Sequence, residues 1–171
     1  LFIVERGWDG FVVGKKEDKL GIRGSDTHSL IFTDVKVPLE NRNGAEGFGF
    51  TFAMQTLNGG RIGIASQALG IAAGAYELAL AYSKERKTFG KPICEHQAIQ
   101  FKLADMLTHL VSARPMVRLA AYHVDSQSPD ATAYCAMAKR LATALSFDIA
   151  NQALQLHGGY GYLQEYPLER H

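Results

Sequence analysis

The chain has 171 residues, a formal net charge of +1, and 47% hydrophobic against 20% charged residues. A charge this close to zero gives no electrostatic basis for binding nucleic acid. Its two cysteines, Cys94 and Cys135, form no CxxC motif and no disulfide framework, and no metal site is predicted. Because glycine, glutamine or charged residues interrupt the longest apolar runs, no membrane insertion is expected. The expected class is a soluble domain with a sizeable core.

Residues 1–40 alternate short apolar runs with glycine-rich and charged turns, which is typical of antiparallel strands. The runs are Leu1–Val4, Phe11–Val13 and Leu30–Val37. The polar, glycine-containing stretch 41–48 predicts a linker. Because Leu1 lies inside a strand-like run and His171 inside an apparent helix, we expect an internal piece of a longer protein.

From Gly49 onward the periodicity is helical, and helices are predicted near residues 49–85, 94–125 and 130–157, with a fourth starting close to Leu163. The fold class is therefore mostly α. We expect a truncated C-terminal four-helix-bundle domain over residues 49–171, preceded by the last strands of an antiparallel β-domain.

Two helices carry informative patterns. The second has an apolar seam with steps of three and four residues: Ile99, Leu103, Met106, Leu110, Ala113, Val117, Ala120 and Val124. Pro115 lies inside this pattern, so a kink is expected between Val111 and Pro115. The first helix carries a face of small residues that admits either a neighbouring helix or a flat ligand: Gly59, Gly60, Gly63, Gly70 and Gly74, with Ala65, Ala68 and Ala72.

The joint between the first two helices, Glu85–Gln100 (ERKTFGKPICEHQAIQ), combines groups suited to a nucleotide. Arg86 is a forked donor for phosphate oxygens, Thr88 offers a hydroxyl and Phe89 a flat apolar face. Gly90 leaves the backbone open to close approach. The alternative is a helix that ends in basic residues and is followed by a Gly-Lys-Pro turn.

A second signal is the run Gln155–Gly161 (QLHGGYG), in which three glycines end a long apolar helical pattern. Each glycine costs about 1 kcal/mol relative to alanine in a helix interior. The end of a helix explains one glycine readily and three less well. The run therefore indicates either a helix end or a close backbone approach to a ligand.

Together these segments resemble the acyl-CoA dehydrogenase family of flavoproteins, over essentially all 171 residues. Lys15–Phe32 and Asn58–Gly70 are also similar to short-chain and branched-chain members. The first half is most similar to enzymes that act on straight butyryl chains. Asp130–Tyr162 and Leu57–Ile62 are more similar to enzymes that act on isobutyryl chains, so the choice of substrate stays open.

The resemblance implies that Arg86, Thr88 and Phe89 contact the pyrophosphate and adenosine side of an FAD that a neighbouring subunit mainly holds. The remaining residues of this contact are Gln97, Gln155, Gly158 and Gly159. His96 is a further candidate for the adenosine, against the alternative of a surface or capping histidine. An FAD shared between subunits implies a homo-oligomer, expected to be a tetramer.

Asn58 and Arg61 match family positions that reach the CoA part of an acyl-CoA substrate. The alternative for both is an ordinary polar residue on a partly exposed helix. Four residues of the strand region follow the family pattern without an assigned role: Arg23, Ser25, Asp26 and Thr27.

The resemblance also implies the reaction, oxidation of an acyl-CoA to the trans-2-enoyl-CoA. A carboxylate removes the α-proton while the β-hydride passes to the flavin. In some members that carboxylate directly precedes the arginine matching Arg61, where this chain has Gly60. In most members it lies beyond the position of His171. No catalytic residue is therefore assigned here, and this piece alone is expected to be inactive.

By the same resemblance, electron-transferring flavoprotein is the expected electron acceptor, and the mitochondrial matrix or the bacterial cytoplasm is the expected location. Two alternatives stay open: an acyl-CoA oxidase or flavin monooxygenase of the same fold, and a helical interaction module without cofactor. Bundle packing does not require the combination of Arg86, Thr88, Gln97 and the paired glycines, which argues against the module.

Overall fold

The computed structural model describes all 171 residues and divides into two compact units, Leu1–Ala53 and Met54–His171. The first unit contains an antiparallel sheet of strands β1 (Phe11–Lys16) and β2 (His28–Phe32). Phe11 pairs with Phe32, and the two rings stack with centroids 4.9 Å apart. No side chain of this unit is fully buried.

The strand region differs in detail from the sequence prediction. The predicted run Leu1–Val4 forms only an isolated bridge, between Phe2 and Arg42. The predicted run from Leu30 to Val37 ends at Phe32, because Asp34 adopts a left-handed conformation (φ 51°) that a strand cannot accommodate. The predicted division into residues 1–40, 41–48 and 49–171 stays a prediction.

The mostly α fold is confirmed, with three long helices in the predicted order: α1 (Gly49–Glu85), α2 (Gln97–Asp125) and α3 (Ala131–His157). Between α1 and α2, strands β3 (Lys87–Thr88) and β4 (Lys91–Pro92) form a hairpin. Its turn residues Phe89 and Gly90 both have positive φ, as a tight hairpin turn requires. A 3-10 turn, Ile93–Glu95, then delays the start of α2 to Gln97.

Two 3-10 turns follow α3, Gly158–Tyr162 and Pro167–Arg170. The sequence predicts a fourth helix that starts close to Leu163, whereas the structure has no helix from Leu163 to Tyr166 and a 3-10 turn from Pro167. Pro167 lies in its first turn, where the missing amide hydrogen costs little.

Two buried clusters hold the helices of the second unit together. One joins Ala72, Ala75 and Ala79 of α1 to residues of the other elements: Leu103, Met106 and Leu110 of α2, Ile149, Ala153 and Leu156 of α3, and Leu168. The other combines Ala65, Val117, Ala120, Cys135, Ala138 and Ala142. The predicted seam of α2 is confirmed, since six of its members, from Leu103 to Ala120, are buried. The fully buried side chains that α1 contributes to these clusters are all alanines, so its axis can approach its neighbours closely.

The glycines of α1 lie largely outside these clusters. Gly59, Gly60, Gly63 and Gly70 are exposed, and a Cβ atom added at any of them would meet no other atom within 4 Å. Gly74 differs, because the Nε2 atom of His171 lies 3.1 Å from its Cβ position. Packing within this chain therefore does not explain the other four glycines.

Helix α1 is also long and apolar enough, by length and composition alone, to cross a membrane. The argument from interrupted apolar runs did not anticipate this. Core helices of water-soluble proteins pass the same test. The absence of membrane insertion stays a prediction.

Helix α2 continues through Pro115 as a single helix. Pro115 and Val111 are both exposed, so water can bond to the Val111 carbonyl that lacks an amide donor. The kink stays a prediction.

The substitution Pro115→Ala should raise the free energy of unfolding of the full-length protein by about 3 kcal/mol, because it restores an amide donor inside α2. Denaturant unfolding followed by far-UV circular dichroism measures this. The matched control is Pro167→Ala in a first helical turn, where we expect little change. An unchanged or lower midpoint for Pro115→Ala would contradict the account.

Candidate functional site

A cavity of about 440 Å³ lies in the second unit between the end of α1, the hairpin and the end of α3. Arg86 and Thr88 line it from the hairpin side, and Gln155, Gly158 and Gly159 line it from the end of α3. The two segments that the sequence singles out therefore meet at one place. The other lining residues are Tyr82, Ile93, Leu156, His157, Tyr160 and Leu163.

Two of the three glycines after α3 have a structural reason within this chain. Gly158 adopts φ 58° and ψ −132° at the helix end, a conformation that side chains disfavour. At Gly161, a Cβ would lie 2.5 Å from the Leu154 carbonyl oxygen, so close packing requires glycine. At Gly159, φ is not positive and a Cβ would meet no other atom within 4 Å. Contacts and backbone conformation within this chain therefore do not explain why residue 159 is a glycine. Gly159 lines the cavity.

Arg86 offers a cation without an anionic partner. Its side chain is exposed, and none of the ion pairs of this chain involves it. The guanidinium carbon lies 5.5 Å from the centre of the Tyr160 ring, within cation–π distance. A guanidinium that no carboxylate neutralises can bind phosphate oxygens in a bidentate manner.

Aromatic side chains connect the ends of α1 and α3 beside the cavity. The ring of His157, which is 5% exposed, stacks on Tyr82 with centroids 4.1 Å apart. His157 Nδ1 lies 3.0 Å from the carbonyl oxygen of Ala153 and must donate, because a carbonyl only accepts. Tyr166 meets both rings edge-on, at 6.0 and 5.8 Å.

Burial raises the pKa of the Tyr82 phenol above its ordinary value, and the nearby charge of Arg86 opposes that shift. The Tyr82 phenol therefore stays protonated at neutral pH.

Sequence reasoning missed Tyr82, His157 and Tyr160. His157 and Tyr160 lie within the QLHGGYG run, but only its amide and glycines were chosen as candidates.

The remaining candidates near the hairpin do not line the cavity. His96 precedes α2 at the N-cap position but makes no capping hydrogen bond, and its Nε2 lies 3.0 Å from Thr88 Oγ1. Phe89 is 96% exposed and meets the His96 ring edge-on at 6.1 Å. Gln97 is exposed at the start of α2. Their proposed contact with a cofactor therefore depends on a surface beside the cavity.

Asn58 and Arg61 form a separate polar group in the first half of α1. Arg61 donates to Asn58 Oδ1 at 2.6 Å, and Asn58 donates to Thr132 Oγ1 at 3.0 Å. Burial raises the pKa of the Cys135 thiol, which the Arg61 charge opposes. At the helical rise per residue, Arg61 and Arg86 are about 37 Å apart along α1. They therefore belong to two different sites.

The four unassigned residues of the strand region lie in the connection between β1 and β2. Asp26 forms an ion pair with Lys16, and the Ser25 carbonyl accepts a hydrogen bond from Lys19. Arg23 Nε lies 3.4 Å from the Lys19 carbonyl oxygen. These contacts shape a turn and indicate no further role.

The model of the acyl-CoA dehydrogenase C-terminal domain matches residues 47–171. The chain belongs to the acyl-CoA dehydrogenase family. A short-chain-specific acyl-CoA dehydrogenase of Megasphaera elsdenii is 52% identical over 170 residues, which are 99% of this chain and 44% of that relative. Mitochondrial isobutyryl-CoA dehydrogenase of Bos taurus is 48% identical over 169 residues, 99% of this chain and 41% of that relative. This chain therefore spans less than half the length of these relatives.

Solved structures share the fold. The chain superposes on butyryl-CoA dehydrogenase of Megasphaera elsdenii with a TM-score of 0.94 at 52% identity, covering 99% of this chain and 44% of that one. A structure described as PigA with FAD and proline gives a TM-score of 0.94 at 30% identity, with the same coverage. A relative in Acetobacterium woodii, 47% identical over 99% of this chain and 44% of its own length, is a caffeyl-CoA reductase-Etf complex subunit.

Two glycine substitutions should distinguish a glycine that close packing requires from one that faces open space. Gly161→Ala should lower the free energy of unfolding by about 2 kcal/mol, because its Cβ overlaps the Leu154 carbonyl. Gly159→Ala should change it by less than about 0.5 kcal/mol, because its Cβ meets no other atom. Denaturant unfolding of the cofactor-free full-length protein gives both values. Equal destabilisation by the two variants would contradict the distinction.

Proposed function

We propose that the complete protein is an FAD-dependent dehydrogenase that oxidises a short straight or branched acyl-CoA to its trans-2-enoyl-CoA. In this proposal the present chain supplies contacts to FAD, to CoA and to other subunits. The observation that carries the proposal is the meeting of Arg86 and Thr88 with Gln155, Gly158 and Gly159 around one cavity. Membership of the acyl-CoA dehydrogenase family supports it.

The residues of the cavity fit the diphosphate and adenosine part of FAD. Arg86 supplies a guanidinium without a carboxylate partner, and Thr88 supplies a hydroxyl. Gly159 leaves its backbone open on the cavity side, where a side chain would otherwise stand. Bound FAD would supply the acceptor for the hydride that leaves the β-carbon of the substrate. The residues of this chain bind and orient that cofactor.

No aspartate or glutamate lines this cavity. In the reaction implied for this family a carboxylate removes the α-proton, so we propose that the cavity serves binding and not that proton transfer. Gly60, at the position where some family members carry the carboxylate, has no side chain that could accept a proton. We therefore place the base outside these residues and expect this chain alone to be inactive.

The separation of the two polar sites supports a cofactor shared between subunits. Arg61 and Asn58 are the proposed contacts for CoA, and the cavity around Arg86 lies about 37 Å further along α1. At that separation one chain would contact CoA and FAD at different places, which fits a cavity that serves the catalytic centre of another copy. We therefore propose a homo-oligomer, with a tetramer as its expected size.

Relatives support the proposed electron acceptor and the proposed location of the complete protein. One relative is a subunit of an Etf complex, which supports electron-transferring flavoprotein as the acceptor for the complete protein. Mitochondrial and bacterial relatives support the mitochondrial matrix or the bacterial cytoplasm as the location.

The first experiment uses the colour of purified full-length protein. We expect it to be yellow and to bleach anaerobically when butyryl-CoA or isobutyryl-CoA is added, because the flavin is then reduced. The faster of the two reactions identifies the preferred acyl chain. Protein that binds no FAD would support the interaction module instead. Rapid re-oxidation in air with release of peroxide would support an oxidase.

The second experiment tests the cavity. Arg86→Ala in the full-length protein should weaken FAD binding about 10- to 100-fold, the loss expected for a charge-assisted hydrogen bond. It should also lower the fraction of assembled oligomer, because one contact serves both. Gln97→Ala should act in the same direction.

Apoprotein titration with FAD and analytical ultracentrifugation measure the two effects. Lys84→Ala is the matched control, because it removes an exposed cation from the last turn of α1 without changing the cavity lining. Wild-type FAD affinity together with wild-type assembly in Arg86→Ala would overturn the shared contact.

A further inference from the structure

The backbone of Arg86 is fixed, but its side chain is not held by any polar group of this chain. The Arg86 amide donates to the Tyr82 carbonyl at 2.9 Å, and the Arg86 carbonyl accepts from the Ile93 amide at 2.8 Å. Its guanidinium takes part in none of the side-chain hydrogen bonds or ion pairs of the chain, and the guanidinium carbon lies 5.5 Å from the centre of the Tyr160 ring.

Tyr160 is itself held in place. It lies in the 3-10 turn Gly158–Tyr162, directly after Gly159, and lines the same cavity. Its ring leans against Tyr166 with centroids 5.2 Å apart and planes at 36°. Its carbonyl accepts from the Leu163 amide at 3.2 Å. The ring face is therefore a defined platform at the edge of the cavity.

We infer that Tyr160 is a positioning residue, whose ring face holds the Arg86 guanidinium towards the cavity so that it can meet the cofactor diphosphate. This inference rests on the proposed FAD contact of Arg86. A long arginine side chain without a partner samples many rotamers, and binding must then restrict them. A cation–π contact restricts them beforehand, while all five N–H donors of the guanidinium stay available.

The arrangement predicts what each substitution does. Tyr160→Leu removes the ring face and should weaken FAD binding about 2- to 5-fold, the range for an exposed cation–π contact. Tyr160→Phe keeps a ring face and should bind FAD nearly as the parent does. Where Tyr160→Leu does not fold, Tyr160→Met removes the ring with a longer apolar side chain. Tyr162→Leu is the matched control, because Tyr162 ends the same turn, is 89% exposed and does not line the cavity.

A double-mutant cycle in the full-length protein tests the inference, with FAD affinity measured by titration of apoprotein. We expect Tyr160→Leu to have no further effect once Arg86→Ala is present, because the tyrosine acts only through the arginine. The same loss in both backgrounds would overturn the positioning role, and so would no loss in the parent. If Arg86→Ala alone leaves FAD affinity unchanged, the proposed FAD contact itself fails. The two failures are therefore distinguishable.

Discussion

The stacking of Tyr82 on His157 connects the C-terminal ends of α1 and α3, and the cavity depends on it. The imidazole is almost fully buried, and its Nδ1 hydrogen is already given to the Ala153 carbonyl, so the ring cannot turn freely. The last turn of α3 is thereby fixed against α1. Arg86, which follows α1, and Gly159, which follows α3, come to face one space only because these helix ends are held side by side.

The cavity combines polar donors with an open backbone and contains no carboxylate. Such a lining can stabilise negative charge and offers no carboxylate base. In the first half of α1, Arg61 likewise lacks a carboxylate partner and donates to Asn58 instead. A guanidinium without an ion pair thus stands in the first half of α1 and another directly after its end, and neither group offers a carboxylate.

The sequence predicted the helices well because their burial repeats with the helical period, and the six central members of the α2 seam are buried. The strand boundaries were less accurate, because single residues such as Asp34 turn the chain through conformations that no apolar pattern announces. At the site, the unusual glycines and Arg86 were visible as departures from helical composition. Tyr82 and His157 were not, because each is a single aromatic residue near the end of a different helix, and nothing in the sequence shows that the two rings stack.

The row of exposed glycines along α1 has a consequence for how this helix holds its shape. Gly59, Gly60, Gly63 and Gly70 together weaken its intrinsic helical tendency by about 4 kcal/mol relative to alanine. Three of the four, Gly59, Gly60 and Gly63, lie in the N-terminal half of the helix. Backbone amides of that half would therefore exchange with solvent sooner than those of the C-terminal half, unless another surface covers these glycines.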